Sequence, residues 1–184
     1  KSSPKTFALS KDDKKYLLSI ARSSIEASLR GEALHLKNSS EELNSKCGAF
    51  VTLHKNGALR GCIGRFGASE PLINVVQEMA VASATQDYRF SKVQNDELSE
   101  IEIEISVLTP LQKIDSVEQI SLGKHGIYIK KGNQSGTFLP QVAQETGWNL
   151  EQFLGHCSQD KAGIGWNGWK DADIYIYEAL VFHE

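Results

Sequence analysis

The chain has 184 residues, with 23 acidic and 20 basic side chains, a formal net charge of −3 and 40% hydrophobic content, which excludes wholesale disorder. That length fits one domain, at most two small lobes, and is enough to bury roughly 70% of the unfolded surface. Three cysteines are too few for a disulfide scaffold, no apolar run approaches the roughly 18 residues of a membrane span, no signal-peptide core is read, and the acidic balance argues against a nonspecific grip on nucleic acid. A cytoplasmic, reducing setting is expected.

Ser10 caps a first helix with Asp12 and Asp13 in its first turn, where the helix dipole favours negative charge. Leu17, Ile20, Ala21 and Ile25 follow with helical spacing, and Gly31 offers a left-handed exit. The polar stretch 37–46 reads as a loop with at most one helical turn. Asn56-Gly57 is the preferred pair for a two-residue hairpin turn between 49–55 and 58–64. A regular register sets Lys55 opposite Ala58, Leu53 opposite Arg60, Val51 opposite Cys62 and Phe50 opposite Ile63, so Arg60 and Cys62 share a face with Val51 and Leu53.

Ser69-Glu70-Pro71 opens a second helix with the stripe Leu72, Val75, Val76, Met79 and Ala80, followed by the small residues Ala82, Ser83 and Ala84. From 100 to 108 the pattern alternates strictly, with Ile101, Ile103, Ile105 and Val107 on one face and Glu102, Glu104 and Ser106 on the other, as in a half-exposed antiparallel strand. A short helical stretch near 117–120 precedes strands at 125–130 and 136–139, joined by the turn-forming segment 131–135. Short helices follow Pro140 and Asn149, and a glycine- and tryptophan-rich loop (162–169) leads to one last strand, 173–182. The class is α+β with a mainly antiparallel sheet.

Leu59-Arg60-Gly61-Cys62-Ile63-Gly64, read after 48–53, resembles the signature of the AMMECR domain family. Three further ordered blocks fit it: Asp87, Arg89 and Phe90 ahead of 97–110; 123–127 ahead of 139–143; and Trp148, Phe153, Leu154, Cys157 with 161–164. The resemblance spans about Leu9 to Glu184, treated as a single domain over 1–184. It implies a larger and a smaller lobe around a cleft, no assigned reaction or cofactor, and Memo-like and radical-SAM proteins as pathway companions. The family's Asp-x-Arg-Phe block often carries prolines, and this chain has none there.

Cys62 lies between Gly61 and Gly64, and glycine inside a strand marks close approach of a ligand or another backbone. A neighbouring cation favours the reactive thiolate, whereas a free cysteine otherwise packs as a small hydrophobe. His125, flanked by glycines, is the candidate base for that thiol. Asp87 and Arg89 read either as a loop brace or as a fork for a polar ligand. Pro140-Gln141 opens a helix whose free N–H groups favour anions. The resemblance implies that Arg60, Cys62, Asp87, Arg89, His125 and Gln141 ring one cleft, with Gly61, Gly64 and Pro140 as its backbone. No Cys-x-x-Cys or His-x-x-x-His occurs, so no metal site is expected. Trp148, Trp166 and Trp169 are expected to pack in the core and loops. Four readings stand: a binder of a small polar or nucleotide-like ligand, a thiol-dependent enzyme using Cys62, a scaffold without a ligand, and an RNA-modifying factor, which the charge balance disfavours.

Overall fold

The computed structural model describes residues 7–36, 40–67 and 69–184. The elements run α1 (Lys11–Leu29), β1 (Ala49–Lys55), β2 (Ala58–Arg65), α2 (Leu72–Thr85), β3 (Ile101–Leu108), β4 (Gln112–Lys113), β5 (Gly126–Lys131), β6 (Gln134–Phe138), α3 (Gln141–Thr146), α4 (Leu150–His156), β7 (Asp173–Tyr177) and β8 (Ala179–His183). They form two four-stranded sheets, ordered β2-β1-β3-β8 and β4-β7-β5-β6, and the class is α+β. The chain divides into two compact units, 1–108 with 180–184, and 109–179. Among the described residues no helix is long and apolar enough to cross a membrane.

In the first unit, Ser10 accepts the Asp13 N–H at 3.0 Å and Asp13 returns the bond to the Ser10 N–H, a reciprocal cap on α1. Gly31 sits at φ +71°, and the Glu32 N–H reaches back to the Ala27 carbonyl, turning the chain out of the helix. Of the polar stretch 37–46, residues 37–39 lie outside the described residues, and Glu42–Asn44 forms one 3-10 turn.

The hairpin turns at Asn56 and Gly57, both at positive φ, and Lys55 opposes Ala58 as expected. The same register holds one pair further, at His54, and fails from Leu53 onward. His54 opposes Leu59 but Leu53 opposes Gly61, so Arg60 is the extra residue of a bulge. Cys62 therefore opposes Thr52, and Val51 opposes Ile63. Opposed residues share a face, so Cys62 shares its face with Thr52 instead of Val51 and Leu53.

Val51, Leu53, Ile103, Ile105 and Val107 are fully buried against Leu72, Val75, Val76 and Ala80 of α2 in one core, each large aliphatic side chain contributing about 1.5–3 kcal/mol. Gly61 is what permits α2 to come so near. A Cβ there would collide with the Ser83 backbone oxygen, and one on Gly64 would collide with the Phe50 ring. The close approach read from the glycines is thus made by a helix backbone and an aromatic ring. Ser83 completes the seam, its hydroxyl accepting the Ile63 N–H at 2.9 Å and lying 2.7 Å from the Val51 carbonyl.

The second unit holds its own core around Ile127, Ile129, Phe153, Leu154 and Cys157. Its hairpin is tighter than expected. Lys131 pairs with Gln134, so Gly132, at φ +60°, and Asn133 make the turn. β4, two residues long, carries no readable period. The single last strand expected at 173–182 is two strands in different sheets, broken at Glu178. There the Thr109 N–H bonds the Glu178 carbonyl at 2.8 Å and the Glu178 N–H bonds Thr109 Oγ1 at 2.7 Å. Trp148 stacks on His156 at 3.9 Å between centroids, Trp166 meets that ring edge-on, and Lys170 lies over Trp169, so all three tryptophans pack within this unit.

Candidate functional site

β2 is an edge strand, and an open edge leaves main-chain groups without ladder partners. Two carboxylate–guanidinium clamps occupy it. Asp87, 7% exposed, accepts the Cys62 N–H at 2.9 Å. It also holds Arg89 in a fork, Nε at 3.0 Å and Nη2 at 2.8 Å. Arg89 Nη2 in turn donates to the Cys62 carbonyl at 3.3 Å. Both polar groups of the Cys62 backbone are thereby satisfied. The Arg89 guanidinium, and after it the Cys62 N–H, hold the Asp87 carboxyl well below the usual carboxylate range.

The second clamp sits at the bulge. Arg60 binds Glu97 through Nε at 3.0 Å and Nη2 at 3.2 Å, and its Nη1 donates to the Ser91 carbonyl at 2.8 Å. Lys55 Nζ joins Glu97 at 3.1 Å. These bonds, Arg60's first and the Gln94 N–H second, hold the Glu97 carboxyl down to about 2. Every nitrogen of the Arg60 guanidinium has a partner, and its side chain is 12% exposed.

Between the clamps Cys62 is half-buried, and its sulfur lies 3.1 Å from Thr52 Oγ1. Cys47 and Cys157 are buried, and burial pushes their thiols up to about 11 and about 12, so they stay protonated and act as packing. Arg89 keeps Nη1 without a hydrogen bond among the described residues, on a side chain 45% exposed. The arrangement presents a thiol on β2, a hydroxyl on the neighbouring β1 and, from the loop after α2, the Arg89 Nη1 amino group with no partner among the described residues. Neither Thr52 nor Glu97 was singled out from sequence. Thr52 becomes visible as the thiol's neighbour only once the bulge is known, and Glu97 only through the tertiary fold.

His125, Pro140 and Gln141 belong to the second unit. His125 Nδ1 accepts the Ser121 N–H at 2.9 Å, and the His125 N–H bonds the Ser121 carbonyl, closing a loop. Burial lowers the His125 pKa, with Glu178 and Lys124 acting in opposite senses after it. Pro140 is buried and Gln141 exposed at the start of α3, a helix of six residues. Among the described residues no three His, Cys, Asp or Glu side chains are placed to hold a metal ion.

The AMMECR1 family model matches residues 18–182. Protein MK0488 of Methanopyrus kandleri is 39% identical over 188 residues, covering 96% of this chain and 90% of that protein. A protein of Methanothermobacter thermautotrophicus is 39% identical over 186 residues, covering 96% of both. The crystal structure of the uncharacterized protein PH0010 from Pyrococcus horikoshii aligns with a TM-score of 0.73 at 36% identity, over 92% of this chain and 90% of that one. The four sequence blocks and these matches agree: the chain belongs to the AMMECR1 family.

Proposed function

We propose that the chain binds a small polar ligand carrying an anionic group at the Cys62 strand, as a component of a pathway shared with Memo-like and radical-SAM proteins. One observation carries this reading. Arg89 commits its fork to Asp87 and keeps Nη1 without a partner among the described residues, next to a half-buried cysteine whose backbone is locked. A guanidinium fixed in this way binds an anion without first losing rotamer freedom. Arg60 supports the site by holding the strand, and Gly61 and Gly64 by letting α2 and Phe50 approach.

The test is to incubate the protein with cell metabolites and identify by mass spectrometry what co-purifies, for wild type and Arg89→Gln. Wild type is expected to retain an anionic metabolite that Arg89→Gln loses. Retention of nothing, with full capture of a Memo-like or radical-SAM partner, selects the scaffold reading.

A second reading, a thiol-dependent enzyme, is favoured by the 3.1 Å contact of Thr52 Oγ1 with the Cys62 sulfur. Asp87, held ionised by Arg89, is a poor base for such a thiol. Alkylation of Cys62 by iodoacetamide below about pH 7 supports it. A Cys62 that resists alkylation under those conditions removes it.

A further inference from the structure

Asp87 to Phe90 make one tight turn after α2. The Phe90 N–H donates to the Asp87 carbonyl at 3.0 Å, the Arg89 N–H donates to Asp87 Oδ1 at 3.2 Å, and the Val93 N–H ties the chain back to the Ala84 carbonyl at 2.8 Å. An aspartate that bonds the main chain two residues on holds such a turn in place. Tyr88 and Arg89 occupy its two central positions. Their side chains therefore leave from a backbone that is already fixed.

Tyr88 is 95% exposed, more than any other large hydrophobic side chain among the described residues. Its neighbour Phe90 is engaged, with its ring centre 5.4 Å from the Arg89 guanidinium carbon. The Tyr88 ring has no such cover and keeps an open aromatic face. In the ion pair of Asp87 with Arg89, the carboxylate is turned inward and the guanidinium outward, so the half at the surface is the cationic one. The Arg89 pKa is raised, first by its bond to Asp87 and last by the Cys62 thiol and the Tyr88 phenol. Ring and thiol thus both lie within electrostatic reach of the guanidinium.

An open aromatic plane beside a fixed cationic nitrogen selects on two features at once. The plane favours a flat ring by stacking, and every nucleic-acid base has a face that serves. The guanidinium nitrogen favours an anionic oxygen. We infer, on the footing of Arg89 as an anion site, that the ligand is a ring-bearing anion of the nucleotide class, with its base stacked on Tyr88 and its phosphate at Arg89 Nη1. A sugar phosphate makes only the second contact, and a nucleoside only the first.

Titration of the full chain with adenosine monophosphate, ribose 5-phosphate and adenosine, followed by ligand-observed NMR, tests this. The nucleotide is expected to bind about tenfold more tightly than ribose 5-phosphate, the worth of one base–aromatic stack, with its adenine H2 and H8 signals moved upfield. It is expected to exceed adenosine as well. Tyr88→Ala is expected to bring the nucleotide down to the level of ribose 5-phosphate with the thermal midpoint unaltered, and Tyr88→Phe to keep the difference. Arg89→Gln is expected to abolish binding of both phosphates. The ring assignment is overturned, with the anion site intact, if the two phosphates bind wild type equally or if Tyr88→Ala leaves the nucleotide unaffected. If neither phosphate binds, if adenosine matches the nucleotide, or if phosphate binding survives Arg89→Gln, the anion site fails and the inference with it.

Discussion

The two clamps on β2 use the same chemistry to different ends. At the bulge, Arg60 is closed on all sides by Glu97 and Ser91, with Lys55 crowding the same carboxylate. At Cys62, Asp87 is the buried partner and Arg89 the half-open one. A bidentate pair with every guanidinium nitrogen engaged is a fastener, whereas one that ties a carboxylate to main chain and leaves a whole Nη1 group unengaged is a fastener with a polar edge. The difference places the candidate site at Cys62 and reduces Arg60 to support, although the sequence presents Arg60 beside the thiol.

The sharpest way to break both clamps together is Gly61→Ala, between them. The added methyl meets the Ser83 backbone, which has no rotamer to yield, so a loss of about 3 kcal/mol, the top of the overpacking range, is expected in urea unfolding. Asp87→Ala acts on one clamp. It leaves the Cys62 N–H unpaired and is expected to cost about 2 kcal/mol, with faster amide exchange at Cys62 and none of that change at Arg60. Acid separates the two without mutation. The Glu97 carboxyl is depressed to about 2, so its stabilising contribution is full above the unfolded value near 4.5 and is lost as pH falls from about 4.5 toward 2. Urea midpoints at pH 6 and pH 2.5 should therefore converge for wild type and Glu97→Gln at the lower pH. Thr52→Val is the mildest probe, changing stability by less than about 1 kcal/mol while slowing alkylation of Cys62 through loss of a hydroxyl donor to the thiolate.

What could be read from the sequence was local. The cap at Ser10, the Asn56-Gly57 turn and the alternation from Ile101 to Val107 are each specified within a few residues, and each stands. The bulge at Arg60 was hidden because nothing within 58–64 demands it. Its environment comes from Glu97 and from α2, far along the chain. The break at Glu178 was hidden for a related reason, since the apolar run 174–182 is interrupted there by a single charged residue with no glycine or proline to mark it, although the strands serve different sheets. At the candidate site, the pairing of Asp87 with Arg89 was legible from their spacing. That the pair grips the main chain of Cys62 was not, because main-chain partners leave no mark on residue identity.

The break at Glu178 also bears on how the molecule is made. The strand completing the first sheet, β8, follows the whole of the second unit in the chain. During synthesis on the ribosome, the second unit is complete while the first still lacks its fourth strand. The nascent chain thus holds the flank of β3 uncovered until residues past Ala179 emerge, and lesions near the last strand should impair maturation of the earliest-made half.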